Sequence, residues 1–234
     1  MNDRTQTRNL VRAVIGFTLY IFFVPALLFI AAGTLRWPMA WIYIALLLVS
    51  TLGSRLIVFK RNPDTLRERA RFTSSEGTKP WDRLLVIIVG LFGPMLIMLV
   101  AGLDRRFGWS GGVTLEIQWL AALLVALGYG LAVWAMIVNP YFSAVVRIQD
   151  DRGQVVVKSG PYRIMRHPSY AGSILASLAL TFMLETLWAL VPTVIMSVAV
   201  IIRTGMEDLM LRDELAGYED YTKETRYRLF PGIW

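Results

Sequence analysis

The sequence contains no cysteine and a single histidine, His167, among its 234 residues. Without cysteine the chain can form no disulfide, and it has neither a thiolate nucleophile nor a cysteine ligand for a metal. One histidine is also too few for the histidine-rich sites that bind zinc or iron. These absences exclude thiol-dependent chemistry, and we expect no metal partner.

Nucleotide-binding motifs are also missing, because the sequence has no P-loop. Gly128-Tyr129-Gly130 begins like a dinucleotide fingerprint, but Val133 stands where the third glycine belongs and no strand precedes the motif. The net charge of +7 does not by itself indicate nucleic acid, since an excess of lysine and arginine in a membrane protein marks loops that face anionic lipid. We therefore expect a lipid bilayer, and no nucleic acid, as a partner.

Long apolar runs dominate the composition, in which 56% of the residues are hydrophobic. A helix of about 20 apolar residues crosses the ~30 Å hydrocarbon layer of a bilayer. The pattern predicts an all-α, polytopic membrane protein with about six membrane segments, of which the last two form a helical hairpin. The predicted segments are residues 13–32, 39–59, 84–103, 118–138, 170–183 and 187–202.

Two regions follow from this layout. Residues 1–138 hold four transmembrane helices and a basic loop at 60–83, whereas residues 139–234 hold a polar motif, the hairpin and a charged, aromatic C-terminal segment.

The distribution of basic residues predicts the orientation. Of the 24 lysines and arginines, 20 lie before residue 13 or in residues 60–83, 147–168 and 203–234. Because cytoplasmic loops carry the excess of positive charge, both termini and these regions are predicted to be cytoplasmic. The polar regions then share one face, where a site can be assembled.

The densest polar motif runs from Gly160 to Gly172 and contains the histidine. Its tyrosines, arginines and prolines suit a polar ligand pocket at the membrane boundary better than a bilayer span. Each residue also has a simpler interpretation. His167 alone is typical of a packed or capping histidine, the tyrosines of an interfacial aromatic belt, and Arg166 of a contact with lipid phosphate.

An ionisable pair follows about 35 residues later, at the end of the last apolar run. Arg203 and Glu207 are four residues apart and share one face of a helix. Placing such a pair at a membrane boundary costs free energy, so it indicates either an interaction partner or a functional role. The simple interpretation is a salt bridge with Arg203 snorkelling to the surface, and the functional one is a ligand site, with Asp208 adding negative charge for a cationic ligand.

These elements resemble, in this order, the isoprenylcysteine carboxyl methyltransferase family. The matching residues are Ser159–Tyr162, Arg166–Gly172, Arg203-x-x-x-Glu207-Asp208, Gly217–Tyr221 and Arg228–Pro231. The resemblance, which is to bacterial members, implies an integral enzyme of a bacterial inner membrane, with residues 139–234 as its catalytic region. Such an enzyme binds S-adenosylmethionine in a cytosolic cofactor pocket outside any Rossmann fold. It implies methylation of a carboxylate on an isoprenylcysteine-like or other small lipophilic acceptor.

The resemblance also implies roles for individual residues. Arg203 and Glu207 would be catalytic, with Arg203 binding the substrate carboxylate, and Gln149 is a candidate for a further glutamine that the family has upstream. The residues implied to contact the cofactor are Gln154, Val155, Val156, Val157, Tyr162, His167, Pro168, Ser169, Tyr170 and Glu207.

Three alternatives stay open at this point. Related membrane methyltransferases modify a phospholipid amine or a thiol. Integral-membrane sterol reductases have a similar architecture but bind NADPH, whose 2′-phosphate calls for clustered basic residues such as Arg163, Arg166, Arg226 and Arg228. A scaffold or transporter is the third, although transport predicts ionisable residues deeper in the spans.

Overall fold

The computed structural model describes residues 3–70 and 77–234, with side chains described at residue 16 and from residue 18 onward. The basic side chains before residue 13, and residues 71–76 of the predicted basic loop, lie outside this part. The described chain is helical and contains no strand, which confirms the all-α prediction. Its α-helices are α1 (Asp3–Ala32), α2 (Pro38–Arg61), α3 (Pro63–Ala70), α4 (Pro80–Ile87), α5 (Gly93–Phe107), α6 (Leu115–Val138), α7 (Pro168–Met183), α8 (Leu190–Glu214) and α9 (Tyr218–Glu224).

Four stretches of the described chain are long and apolar enough to cross a membrane, namely Pro38–Arg61, Pro80–Phe107, Leu115–Val138 and Leu187–Glu214. Two further apolar stretches, Thr18–Ala32 and Pro168–Met183, are shorter. The prediction of a polytopic helical protein therefore agrees with the structure, while the count of six membrane segments stays a prediction.

A π-helical turn, Ile88–Phe92, joins α4 to α5. Pro94 explains it, because proline has no N–H to donate to the carbonyl of Gly90 and its ring crowds that carbonyl. The hydrogen bonding shifts by one residue instead, and the Gly93 N–H bonds to the carbonyl of Ile88. Such turns often occur at functional sites, and this one borders the cavity described below.

Helices α6 and α7 pack in direct backbone contact at two glycines. A Cβ atom on Gly172 would lie 2.4 Å from the carbonyl oxygen of Gly128, and one on Gly128 would lie 2.5 Å from that of Gly172. Small residues allow this close approach between membrane helices. Gly128 thus has a packing role, which accounts for the imperfect dinucleotide motif.

Apolar side chains are distributed between a core and an exposed belt. The main core packs side chains such as Leu28, Ala40 and Val125 against α7. Helix α8 exposes Val191, Ile195 and Val198 on its outer face. Exposed aliphatic side chains at helical spacing are what a lipid-facing surface requires.

The three polar regions meet at one end of the helices, where α2 and α6 end and α7 begins. Lys79 bonds Glu214 at 2.6 Å, and Arg147 bonds Glu68 at 2.8 Å. The Thr65 hydroxyl donates to the carbonyl of Pro140 at 2.7 Å. These contacts join the segment after α2, the segment after α6 and the end of α8. Neither helix α3 nor the continuation of α8 to Glu214 was predicted.

Candidate active site

A cavity of about 500 Å³ opens at this polar end, within the ~300–1,000 Å³ range of ligand pockets. Its walls come from α2, α3, the end of α4, the π-turn, α6, residues 139–157 and 162–167, the start of α7, α8 and α9. Every residue that the sequence assigned to the site lines it: Gln154, Val155, Val156, Val157, Tyr162, His167, Pro168, Ser169, Tyr170, Arg203 and Glu207.

The histidine motif is held by the C-terminal segment. Pro168 is the first residue of α7, a position where proline loses no hydrogen bond. Just before it, the backbone N–H groups of Arg166 and His167 donate to the carbonyls of Tyr227 and Arg228, both at 2.9 Å. This pairing fixes the chain at the entry to α7, so the motif faces the cavity in a defined register.

The Arg166 side chain is buried in a double ion pair with Asp208. Its Nε donates to Oδ1 at 2.6 Å and its Nη2 to Oδ2 at 3.0 Å, while Nη1 donates to the carbonyls of Thr225 and Arg226. Although burial lowers the pKa of Arg166, the hydrogen bonds and charge of Asp208 raise it above the ordinary value. The expectation that Arg166 contacts lipid phosphate is therefore wrong.

Asp208 is surrounded by further donors. Arg228 Nε lies 2.9 Å from its Oδ2, Arg212 Nε lies 3.4 Å away, and the Tyr218 hydroxyl donates to Oδ1 at 3.1 Å. Its negative charge is compensated inside the protein. Asp208 thus organises the C-terminal segment, and it does not supply the free negative charge that the sequence predicted for a cationic ligand.

His167 is buried beside this cluster, with 7% of its surface exposed. Its Nε2 lies 3.5 Å from Asp208 Oδ1 and makes no hydrogen bond within the described residues. The imidazole stacks on the ring of Tyr170, with the centroids 5.8 Å apart and the planes 5° from parallel. The Nε2 atom is thus buried against the Asp208 carboxylate, while the residue also lines the cavity.

Glu207 holds the available carboxylate of the site. Its Oε2 accepts a 2.7 Å hydrogen bond from the Tyr170 hydroxyl, and the side chain is partly exposed along the cavity. Among the described ion pairs, none joins Glu207 to Arg203, so the simple salt bridge predicted from their spacing does not form. Arg203 instead lies over the Tyr170 ring, its Cζ 5.4 Å from the centroid.

Arg203 is paired with Asp82, a residue that the sequence did not assign to the site. Its Nε and Nη2 donate to the two carboxylate oxygens at 2.6 and 3.1 Å, and Nη2 also donates to the carbonyl of Ala144. Asp82 is fully buried and accepts the Val146 N–H at 2.7 Å. Nη1 of Arg203 has no hydrogen bond within the described chain and can donate to a ligand. The signal for Asp82 was a carboxylate in the first turn of a membrane helix.

The segment before the motif offers free backbone groups. Gln154 is fixed because its Oε1 accepts the Gln149 N–H at 2.8 Å. The next three N–H groups, those of Val155, Val156 and Val157, make no hydrogen bond within the described residues. Gln149 itself is buried and its amide donates to the carbonyl of Tyr141 at 2.6 Å, so it braces the loop that carries this segment.

Tyr162 closes the cavity on the side of the motif. Its hydroxyl accepts a hydrogen bond from Asn139 Nδ2 at 3.2 Å, and its carbonyl accepts one from the Tyr221 hydroxyl at 2.6 Å. Burial raises the pKa of Tyr162, which keeps the phenol neutral. Ser169 lines the cavity in the first turn of α7.

The basic cluster required for NADPH does not assemble. Arg166 and Arg228 both bind Asp208, and Arg163 and Arg226 are exposed and do not line the cavity. This arrangement disfavours the reductase alternative. Within the described ranges, no three His, Cys, Asp or Glu residues are grouped as metal ligands.

Comparison with known proteins identifies a family. Residues 117–215 match the family model described as phospholipid methyltransferase, and a search of the curated proteins finds no match. The matched segment begins in α6 and ends just after α8, so it contains every predicted site residue, whereas Asp82 lies outside it. The match confirms the resemblance predicted from the motifs. Over residues 117–215, less than half of its length, this chain is thus similar to the phospholipid methyltransferase family, whose members resemble the isoprenylcysteine carboxyl methyltransferases as integral membrane methyltransferases.

Proposed function

We propose that the protein uses S-adenosylmethionine to methylate the carboxylate of an isoprenylcysteine-like or other small lipophilic acceptor. One observation carries the proposal. The residues that the resemblance assigns to the cofactor and those it assigns to the acceptor line the same cavity, and Tyr170 bonds directly to Glu207.

The cofactor side of the cavity fits this molecule. The N–H groups of Val155–Val157, which have no hydrogen bond within the described residues, can bond an adenine edge, and His167 lines the same cavity. Glu207 and the faces of Tyr162 and Tyr170 favour positive charge, since aromatic rings attract cations and a carboxylate balances them in a partly desolvated site. When bound, S-adenosylmethionine supplies a methyl group on a positively charged sulfur.

The acceptor side requires orientation more than proton transfer. A carboxylate is already ionised at pH 7, so its oxygen needs no general base. Arg203 is held in place by Asp82 and retains Nη1 for the acceptor, and a guanidinium suits a carboxylate. Alignment of the acceptor carboxylate with the methyl donor then supplies most of the rate enhancement that the methyl transfer requires.

The membrane setting follows from the same geometry. The cavity lies at the polar end of the helices, beside apolar surfaces of α6 and the π-turn. We infer that this end faces the cytoplasm, as the positive charge of its segments favours. A lipophilic acceptor then enters from the bilayer and presents its polar group at the membrane boundary.

A second acceptor class is a phospholipid amine. The description of the matched family favours it, and so does Glu207, whose carboxylate can take the proton that an ammonium group must lose. Residues 139–234 remain the proposed catalytic region in either case, with Asp82 contributed from the first part of the chain.

A labelling experiment distinguishes these functions. Purified protein is incubated with methyl-tritiated S-adenosylmethionine and either an S-prenylated N-acetylcysteine or vesicles of phosphatidylethanolamine. Label that alkali releases as volatile methanol identifies a methyl ester and supports the carboxylate. Stable label in the phospholipid supports the amine. Thermal stabilisation by NADPH, with none by S-adenosylhomocysteine, would overturn the methyl-donor assignment.

A further inference from the structure

Arg69, on the short helix α3, lines the cavity beside the predicted site. Its guanidinium lies over the Phe142 ring, 5.3 Å from the centroid, and Nη1 reaches the carbonyl of Ser143 only at 3.5 Å, the outer limit of a hydrogen bond. A guanidinium that stacks on a ring keeps the donors along its edge available. Within residues 3–70 and 77–234, most donors of Arg69 are thus unused.

The part of the chain that the structure describes gives Arg69 no counterion. Three other arginines of the cavity wall are paired, Arg203 with Asp82, Arg166 with Asp208 and Arg147 with Glu68. Among the described ion pairs, none includes Arg69.

Burial lowers the pKa of Arg69. Tyr170 raises that pKa and the charge of Arg203 lowers it. A partly buried cation without a counterion is costly, so a bound anion would relieve it.

We propose that Arg69 binds the anionic group of the acceptor, a carboxylate or a phosphate on an amphiphile. The inference rests on the proposed function, because it assigns the recognition of the acceptor within the same cavity. Arginine donors match both anions in geometry. The apolar chain would lie along Val89, Gly90 and Val133, which line the cavity from the π-turn and α6.

Arg69 lies outside the segment of the chain that matches the family, and this position bears on acceptor selection. Arg69 precedes residues 117–215, the segment that matches the family. The cofactor residues all lie inside that segment. Acceptor selection would therefore depend on a residue that the matched segment does not contain, contributed by a helix that the sequence analysis did not predict.

Matched amphiphiles test the proposal through the thermal stability of the purified protein in neutral detergent. Laurate and dodecyl phosphate carry the two anions, and dodecanol has the same chain without charge. We expect both anions to raise the Tm of the wild type, with dodecanol giving a smaller rise. In Arg69→Gln the apparent affinity for the anions should fall at least tenfold, and Arg69→Lys should recover part of it.

Arg67→Gln is the control, because Arg67 lies on the same helix but is exposed and paired with Asp64. It should respond to the anions like the wild type. Phe142→Leu provides a second test, since it removes the stacking partner and leaves the charge, and it should weaken anion binding less than Arg69→Gln. The anion that raises the Tm of the wild type more identifies the anionic group of the acceptor as a carboxylate or a phosphate.

S-Adenosylhomocysteine separates this inference from the proposed function. It should stabilise the wild type and Arg69→Gln equally. Equal anion responses of Arg69→Gln and the wild type, or equal stabilisation of the wild type by dodecanol and the anions, would overturn the role of Arg69. Anion stabilisation that depends on Arg69, without any response to S-adenosylhomocysteine, would instead overturn the proposed function and leave the anion site standing.

Discussion

Asp82 and Arg203 are 121 residues apart in sequence and form a bidentate ion pair, with nitrogen–oxygen distances of 2.6 and 3.1 Å. The pair connects the first turn of α4 to α8 and is almost completely buried. The pair fixes Nε and Nη2 of Arg203. The same side chain also lines the cavity. The acceptor role proposed for Arg203 therefore depends on a carboxylate from the other half of the chain.

We expect Asp82→Asn to lower the free energy of unfolding by about 3–5 kcal/mol, because it leaves Arg203 buried without its counterion. Thermal or chemical unfolding in detergent measures the change. Asp64→Asn is the control, since Asp64 forms an exposed pair with Arg67 and such pairs contribute about 0–1 kcal/mol. The double variant Asp82→Asn/Arg203→Gln should lose less stability than the two single losses added together. Full stability of Asp82→Asn would contradict this account.

Glu207→Gln should keep the fold and weaken the binding of S-adenosylhomocysteine and, more strongly, of the cationic S-adenosylmethionine. We expect about a tenfold loss for the methyl donor, because a charged partner in a partly desolvated site contributes about 1.5–3 kcal/mol. Isothermal calorimetry measures both ligands. Glu219→Gln, at an exposed position on α9, should bind both like the wild type. Equal affinity of Glu207→Gln and the wild type for the methyl donor would refute the role of Glu207.

Gly172→Ala should destabilise the protein by several kcal/mol, because the added methyl group meets the backbone of α6 at 2.4 Å and that contact cannot adjust as a flexible side chain would. The matched control is Gly130→Ala on α6, where a Cβ atom has nothing within 4 Å. That change should be neutral or stabilising by up to about 1 kcal/mol, since alanine favours a helix over glycine. Comparable Tm values for the two variants would show that the helices are not in contact here.

Alkaline pH should destabilise the protein through Tyr218. Burial, and then the charge of Asp208, raise the pKa of Tyr218 well above its usual value. An unfolded chain loses the phenol proton near pH 10, whereas the folded protein retains it. Above about pH 10 the unfolded state binds fewer protons, so the free energy of unfolding falls as pH rises, by about 1.4 kcal/mol per pH unit for one group.

Unfolding of the wild type and Tyr218→Phe at pH 8, 10 and 11.5 measures this effect. The variant should show a shallower decline, because it has no proton to lose at that position. Tyr227→Phe, at an exposed position, should decline like the wild type. Identical slopes for Tyr218→Phe and the wild type would exclude the contribution.

Local patterns were sufficient to predict the helical class. The candidate residues from 154 to 207 were assigned to the site by resemblance, and the structure shows that they line one cavity. The π-turn was not predicted, because its cause, Pro94, also fits an ordinary helix start. Helix α3 was not predicted because it is polar and short. The Asn62-Pro63 pair was interpreted as the start of a loop, whereas the proline is the first residue of the helix. Apolar runs alone also do not decide whether α7, with 16 residues, crosses the bilayer.

The partners of the site residues were beyond the reach of the sequence. Spacing placed Arg203 and Glu207 on one helix face, but the partner of Arg203 lies in another helix, and only the fold brings Asp82 to it. The same holds for Arg166, whose counterion Asp208 is 42 residues away. Long-range pairs of this kind depend on how the helices assemble, which no local pattern encodes.

One helix, α8, contributes a residue to each of two buried ion pairs of the site. Arg203 and Asp208 are five residues apart on it, about 7.5 Å along the axis, and their partners are Asp82 beside the acceptor region and Arg166 beside the histidine motif. A ligand that shifts α8 to fit one half of the cavity must therefore act on the other half. Occupancy by one reactant would then change the affinity for the second, and thermodynamic reciprocity requires the same factor in the opposite direction.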